Sequence, residues 1–241
     1  MEIAQDLHLI PGLSTANACL HVAGEVCVLF DTGLPGDGPR ILEYLTKLGR
    51  SPRDLALIAL THADAGHAGA AAWLRRNSAA RIAASPEAAL VAQDPQARGI
   101  VRRAWRTTLA LMRRPVEPFA VDVLLTEEDA PGGFQVIPTP GHAPGHLAFY
   151  RPSDGVLIAG DAVRVSGNEL LAPAFWDSDS EWQARISIAR LADVPIHLLI
   201  PGHGTPFREP SQQLRIVGGP PGFLEDVMRR KDDRRLRRSR R

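Results

Sequence analysis

The chain has 241 residues, of which 44% are apolar and 23% are charged, so it can bury a sizeable core in one domain or two. Its formal net charge of +1 gives no argument for nucleic-acid binding by the chain as a whole. The sequence contains no run of about eighteen apolar residues, and no charged-then-apolar signal segment opens it. We therefore expect no membrane span and a cytoplasmic location.

The charge is concentrated at the C-terminus. Residues 229–241 contain nine basic side chains and two acidic ones, a net charge of +7, which leaves −6 for the rest of the chain. A run of like charges without apolar periodicity is typical of a solvated, disordered tail. The sequence predicts one folded domain over residues 1–227 and a basic, disordered tail over 228–241. Contacts of this tail with nucleic-acid phosphates remain an alternative.

Cys19 and Cys27 are the two cysteines of the chain. Two cysteines are too few for a disulfide scaffold, and free cysteine is usually buried. We expect both side chains in the core on neighbouring strands, with metal binding or redox chemistry as the alternative.

The first half of the chain alternates short apolar runs with helical patterns. Gly24 and Glu25 form a predicted hairpin turn, and Ser85 with Pro86 gives the start of a helix. Segment 96–114 carries six arginines and one apolar stripe, which fits a helical insertion or an ordinary amphipathic helix with a solvated basic face. The predicted strands are 3–10, 18–22, 26–30, 55–60 and 81–84, and the predicted helices are 41–48, 68–76 and one from 86.

The second half repeats the alternation of hairpins and helices. The predicted strands are 121–125, 134–138, 147–150, 156–160 and 196–200, with a helix over 180–191. Residues 163–177 read as irregular, and the chain from 209 reads as helical or fraying. Two similar halves of this kind predict two sheets that face each other, with helices on the outside.

Four of the predicted strands run into glycine-containing turns that carry possible metal ligands. Five of the eight histidines lie in these turns. Imidazole and carboxylate are the usual ligands of zinc and similar metals, and ligands collect at the carboxyl ends of strands in α/β sheets. The turns therefore predict a metal centre. The residues concerned are His62, Asp64, His67, His142, His146, Asp161 and His203.

The order of these turns resembles the metallo-β-lactamase-fold superfamily. The family pattern is Thr-His-x-His-x-Asp-His-x-Gly, then Gly-His-Thr-Pro-Gly, then Gly-Asp, then Gly-His-Gly. The resemblance implies an α/β fold, a four-layer αββα sandwich of the metallo-β-lactamase type, and places segment 96–114 at the rim of the site. The matching residues are Thr61, His62, His67, Gly69, Gly141, His142, Pro144, Gly145, Gly160, Asp161, Gly202, His203 and Gly204.

The ligand sets implied by the resemblance follow by position. His62, Asp64 and His142 would bind one metal, His67 and His203 would bind a second, and Asp161 would bridge the two. Asp64 and Asp161 are the candidate catalytic residues, next to a metal-activated water. We expect zinc, with iron or manganese as alternatives. The resemblance also implies that Asp31 braces the ligand loop, and the alternative is that Asp31 only caps its own turn.

Two positions depart from the family pattern. Asp64 stands where the family has its second histidine, and it could instead serve only as the cap of the following helix. Gly66 stands where the family has a metal-binding aspartate, which removes a ligand. We therefore expect one tightly bound metal and a weaker second site. His146 fits a structural group beside the ligands better than a ligand, and His8, His21 and His197 are expected to be structural.

Three functions fit these observations. The first is a metal-dependent hydrolase of a small-molecule ester, thioester, lactone or related substrate. The second is a catalytically weak metal- or partner-binding module on the same fold, for which the loss of a ligand at Gly66 argues. The third is a nucleic-acid processing enzyme, for which the basic tail argues. The sequence does not identify the substrate, because a fold does not determine one, or the oligomeric state.

Overall fold

The computed structural model describes residues 1–94, 116–174, 176 and 178–219. The insertion predicted over 96–114 and the tail predicted over 228–241 lie outside these residues, and both remain predictions. Two sheets form the centre of the described part. None of the described helices combines the length and the apolar character that crossing a membrane requires.

The first sheet has seven strands in the order β1-β2-β3-β4-β5-β6-β7. Strands β1 to β4 are antiparallel neighbours, and β4 to β7 are parallel neighbours joined by helical crossovers. The strands are β1 Glu2–Ala4, β2 Leu7–Leu9, β3 Cys19–Ala23, β4 Val26–Phe30, β5 Leu55–Ala59, β6 Arg81–Ala84 and β7 Val123–Leu124.

The second sheet has five strands in the order β14-β13-β10-β9-β8. Its neighbours are antiparallel except β10 and β13, which are parallel. A separate hairpin, β11 and β12, lies between β10 and β13 in the chain. The strands are β8 Gln135–Pro138, β9 Leu147–Arg151, β10 Val156–Gly160, β11 Arg164–Ser166, β12 Glu169–Leu171, β13 Leu198–Pro201 and β14 Phe207–Arg208.

Alternation along the strands assigns each side chain to one of the two faces of its sheet. On β4, Val28 and Phe30 join the core between the sheets, while Cys27 and Leu29 face the opposite side. In the central core the ring of Phe30 lies 4.7 Å from that of Phe134 and 5.0 Å from that of Phe149. These contacts hold the two sheets face to face.

Helices cover the outer faces of both sheets. Helices α1, α3 and α4 pack on the first sheet, and α5 and α6 pack on the second. The predicted four-layer αββα sandwich is therefore confirmed. Cys19 and Cys27 are buried on neighbouring strands as free thiols, as expected. The helices are α1 Gly38–Lys47, α2 Ala65–Ala68, α3 Ala71–Asn77, α4 Pro86–Gln93, α5 Glu181–Leu191 and α6 Ser211–Gly218.

Three predicted elements were wrong in detail. The strand predicted over 3–10 is the hairpin β1–β2, because Asp6 takes a left-handed φ of 54° that aspartate tolerates. The segment 163–177, predicted to be irregular, contains the β11–β12 hairpin. The helix predicted over 68–76 is two helices, α2 and α3. The backbone N–H and hydroxyl of Thr32 donate to the carbonyl oxygen of His67, so that carbonyl does not continue the helix.

Candidate metal centre

The candidate ligands come from both sheets and meet at one edge of the sandwich. His62 follows β5 of the first sheet, while His142 precedes β9 of the second. Asp161 and His203 follow the parallel strands β10 and β13. The Leu147 N–H donates to the Thr61 carbonyl oxygen over 2.8 Å and so joins the two sheets beside these residues.

Asp161 lies at the centre of the cluster. Its Oδ2 atom is 3.3 Å from His67 Nε2, 3.5 Å from both His142 Nε2 and His203 Nε2, and 4.0 Å from His62 Nε2. Two groups of ligand atoms result, one of His62, His142 and Asp161 and one of His67, Asp161 and His203. Asp161 belongs to both groups and is placed to bridge two cations.

Asp64 extends the first group. Its Oδ2 atom lies 3.5 Å from His142 Nε2 and 3.7 Å from His62 Nε2. Asp64 stands at the N-cap position of α2, yet its side chain makes no capping hydrogen bond. The carboxylate faces the imidazoles, so the alternative of a cap alone does not describe this residue.

Hydrogen bonds at Nδ1 orient three of the four imidazoles. His67 Nδ1 donates to Asp31 Oδ2 over 2.7 Å, and His203 Nδ1 donates to the Thr15 carbonyl oxygen over 3.1 Å. The Thr61 hydroxyl donates to Asp31, so it accepts from His62 Nδ1. In the neutral form, with the proton on Nδ1, each of these rings can bind a metal through the lone pair of Nε2.

Asp31 holds two of these rings in place. It accepts from the backbone N–H and the hydroxyl of Thr61, each over 2.8 Å, as well as from His67. Its φ of 59° is left-handed, a conformation in which aspartate is enriched. Asp31 thus braces the loop that carries His62 and His67, as the resemblance implied.

The carboxylates of the cluster stabilise positive charge near Asp161. Burial lowers the pKa of His67, but the Asp161 and Asp31 carboxylates outweigh it and raise that pKa well above the ordinary value. Burial raises the pKa of Asp161, yet His67 and the hydrogen bond from His203 hold it well below its usual range. The pKa of His62 lies well below its ordinary value, mainly because the ring is buried and secondly because His67 is close. Either a proton or a metal cation can satisfy this demand.

The polar atoms without partners fit a metal. Within the described part of the chain, His62 Nε2, His67 Nε2 and Asp161 Oδ1 are buried side-chain atoms with no hydrogen-bond partner. A buried polar group without a partner costs free energy, about 1–3 kcal/mol for a typical group. These three atoms belong to the two ligand groups, and nitrogen and carboxylate oxygen suit zinc, iron or manganese. The residues present therefore fit a bound metal.

Glycine at position 202 allows the turns to approach each other. A Cβ atom there would lie 2.1 Å from Asp161 Oδ1 and 2.6 Å from His67 Cε1. No side chain fits at those distances, so the His203 turn can reach Asp161 and His67 only with glycine at this position. This gives a physical reason for the glycine of the Gly-His-Gly motif.

His146 uses both of its ring nitrogens in hydrogen bonds to other protein groups. Its Nε2 accepts the backbone N–H of Asp161 over 3.1 Å, and its Nδ1 donates to Thr139 Oγ1 over 2.7 Å. Burial and then the nearby His142 lower the pKa of His146 to about 3. Both ring nitrogens are used inside the protein, so His146 positions Asp161 and offers no lone pair to a metal.

The sequence reasoning missed the contribution of the loop between β2 and β3. Asn17 Nδ2 donates to the carbonyl oxygens of Pro201 and Gly204, each over 2.8 Å, and clamps the His203 turn. Thr15 binds His203 through its carbonyl oxygen. These partners lie more than 180 positions away in the chain, and no spacing or composition signal marks them.

The remaining histidines lie away from the cluster. His8 contacts Tyr44, and His21 contacts Phe134 and the Asp6 carbonyl oxygen. His197 is 65% exposed and pairs with Glu209. The structure therefore gathers His62, Asp64, His67, His142, Asp161 and His203 and leaves the three histidines expected to be structural outside.

Comparisons with known proteins show the family to which the chain is related. The profile of the metallo-beta-lactamase superfamily matches residues 12–203. The chain is 30% identical over 229 residues to the uncharacterized protein YobT of Bacillus subtilis, an alignment that covers 87% of this chain and 91% of YobT. It is 28% identical over 183 residues to a hydroxyacylglutathione hydrolase of Chromohalobacter salexigens, covering 74% of this chain and 56% of that protein.

A solved structure with a similar fold contains metal. The structure of TTHA1623 in a di-iron-bound form superposes with a TM-score of 0.65 at 27% sequence identity. The alignment covers 87% of this chain and 98% of TTHA1623.

Proposed function

Because the chain belongs to the metallo-β-lactamase superfamily, we propose that it is a metal-dependent hydrolase of a small ester, thioester or lactone. The observation that carries the proposal is the set of imidazole Nε2 atoms gathered around Asp161, among them buried atoms that have no hydrogen-bond partner in the described part of the chain. A hydroxyacylglutathione carries its acyl group on a thiol, so the name of that relative supports a thioester among the candidate substrates.

We assign the first cation to His62, Asp64, His142 and Asp161, and a second to His67, His203 and Asp161. When bound, such a metal would supply Lewis-acid polarisation of the substrate carbonyl oxygen and a more acidic water. Zinc suits this donor set, and the di-iron form of TTHA1623 makes iron the main rival. The first set contains one more ligand than the second, so we expect the first cation to bind more tightly.

The chain's own residues supply orientation and proton transfer. Asp31, Thr61 and Thr15 fix the imidazoles, and His146 fixes the backbone of Asp161. The Asp64 side chain is 20% exposed beside the fully buried His62, so it stands where the cluster meets solvent. In this proposal its carboxylate accepts the proton that a water molecule loses as it attacks the acyl carbon.

The test combines metal analysis with a substrate panel. We expect the purified protein to retain about one equivalent of a transition metal after dialysis against a chelator, and to hydrolyse a chromogenic ester, thioester or lactone. His142→Ala should lose that metal and the activity together. His197→Ala is the matched control, because this histidine is exposed and lies at the opposite end of β13 from the turn that carries His203.

Unchanged metal content in His142→Ala would show that the ligand assignment is wrong. If two equivalents of metal stay bound after the chelator treatment, the first ligand set does not bind its cation more tightly than the second. Tight metal without turnover of any ester, thioester, lactone or phosphodiester would instead support the second candidate, a binding module, which the glycine at position 66 favours.

A further inference from the structure

The space beside Gly66 is open within the part of the chain that the structure describes. Gly66 lies in α2 between Asp64 and His67, and its φ is not in the left-handed region. Apart from the two neighbouring residues in the chain and the backbone of α2, the one described heavy atom within 4 Å of a Cβ atom at this position would be Thr15 Oγ1, at 3.7 Å. A methyl group therefore fits beside the described residues here without backbone strain.

Two residues connect this space to the second ligand set. Thr15, which borders the space through its hydroxyl, accepts the Nδ1–H of His203 through its carbonyl oxygen. His67 follows Gly66 directly in α2. The space is thus bordered by residues that carry or orient two of the three protein ligands of that set.

The second set holds three protein ligands, His67, Asp161 and His203. His203 is 44% exposed, whereas His62 and His142 of the first set are at most 3% exposed. Within the described residues, His67 Nε2 and Asp161 Oδ1 are buried without partners. A cation held by three protein ligands keeps a further position for a ligand from solution. Thr15 contacts both the open space and His203 of this set.

We propose that the space beside Gly66 is a carboxylate subsite, in which an external carboxylate oxygen completes the second ligand set. This inference rests on the proposed function, since it requires the cation. Acetate has the atoms of an aspartate side chain from Cβ outward, and the Thr15 hydroxyl is placed to donate to it. Binding of the second cation and of the carboxylate is then coupled, each strengthening the other.

The proposed reaction supplies such a carboxylate. Water adds its oxygen to the acyl carbon of an ester, thioester or lactone, and the bond from that carbon to the leaving oxygen or sulfur breaks. The leaving atom takes one proton, and the acyl group departs as a carboxylate with release of the other proton. The occupant of the subsite is therefore the carboxylate product, and acetate is that product for any acetyl ester.

The coupling is measured by titration of the metal-free full-length protein with zinc in a calorimeter. One titration contains sodium acetate, and the other contains sodium chloride at the same ionic strength. We expect acetate to tighten the weaker zinc-binding event by about tenfold or more, because even partners outside the ligand shell change metal affinity by about 10–100-fold. The tighter event should stay unchanged. Free acetate competes weakly for zinc, so it cannot produce a gain by itself.

Two substitutions at position 66 make the test specific. Gly66→Asp should bind the second zinc tightly without acetate, and acetate should add nothing. Gly66→Ala places a methyl group where the acetate methyl would lie, so it should keep the first zinc and lose the effect of acetate. Thr15→Val removes the hydroxyl donor while it keeps the carbonyl that binds His203, and it should reduce the acetate effect.

The proposal is overturned if acetate leaves the second event unchanged in the natural protein, or if Gly66→Ala responds to acetate as the natural protein does. Gly66→Ala and Thr15→Val carry the test if Gly66→Asp does not fold. A protein that binds no zinc at all would overturn the proposed function itself. If the protein binds the first zinc ion but acetate does not tighten the second binding event, the subsite is overturned while the proposed function stands.

Discussion

Asp31 shows how a single residue controls the chemistry of the centre. Its two oxygens accept three hydrogen bonds, two from Thr61 and one from His67. Through these bonds it sets the tautomer of His67 directly and that of His62 through the Thr61 hydroxyl. Metal ligands usually depend on such partners for their orientation and basicity.

We predict that Asp31→Asn weakens metal binding without unfolding the protein. Asparagine tolerates the left-handed φ of 59° at this position. Its amide carbonyl can still accept from the Thr61 N–H, but its NH₂ group then faces His67 Nδ1. The ring must move its proton to Nε2, where it blocks the metal. We expect a loss of about 10–100-fold in metal affinity by titration calorimetry.

The matched control is Asp6→Asn, which also changes an aspartate with a left-handed φ but lies in the β1–β2 turn, outside the cluster. It should leave metal affinity unchanged. Equal metal affinities for Asp31→Asn and the natural protein would show that Asp31 does not set the tautomer of His67.

At the scale of elements, strands of the two sheets bury aromatic rings in the core between the sheets. Phe149 of β9 is fully buried and packs against Phe30 of β4, with ring centroids 5.0 Å apart. It therefore joins the two sheets near the centre of the sandwich. Removal of a ring from such a site loses its contacts and leaves a cavity, because the surrounding structure relaxes only in part.

We predict that Phe149→Ala lowers the free energy of unfolding by about 3–5 kcal/mol, measured by denaturant titration of the metal-free protein. Leu90→Ala is the control, because Leu90 on α4 is 72% exposed and surface changes usually stay within about 0.5 kcal/mol. Similar effects of the two substitutions would mean that the contact between the sheets is not the main core.

At the scale of the whole molecule, the metal centre links the two halves. One group of ligands, His62, Asp64 and His67, lies in the connection that follows β5 of the first sheet. The other group, His142, Asp161 and His203, lies in turns next to strands of the second sheet. A cation that binds these residues connects the halves in the folded state only. A ligand that binds only the folded state stabilises it by mass action, by about 2.7 kcal/mol at a hundredfold excess over the dissociation constant.

We therefore predict that removal of the metal with a chelator lowers the melting temperature by roughly 5–10 °C, given that about 1 kcal/mol shifts a chain of this size by 2–4 °C. Addition of the metal should restore it, as followed by circular dichroism. His142→Ala, which lacks one ligand, should respond less to the chelator. Identical melting curves with and without metal would contradict a link between the halves.

The sequence by itself determined the layers of the fold and the order of the ligand turns. Continuous apolar runs indicated β5, β10 and β13, and the turns with histidine or aspartate that follow them marked the ends of these strands. These signals are local, because strand periodicity and turn chemistry depend on neighbouring residues. The same local signals missed the β1–β2 and β11–β12 hairpins, in which the turns at Asp6 and Gly167 connect strands of only three residues each.

Only the tertiary structure decided which groups surround each ligand. Asp64 could be a helix cap or a ligand by sequence, and the packing of the two sheets brings His142 to 3.5 Å from its carboxylate. Asn17 and Thr15 reach the His203 turn across more than 180 residues. The room beside Gly66 likewise depends on where Thr15 lies. Such contacts follow from the docking of one sheet on the other, and distances between segments far apart in the chain are not encoded in either segment alone.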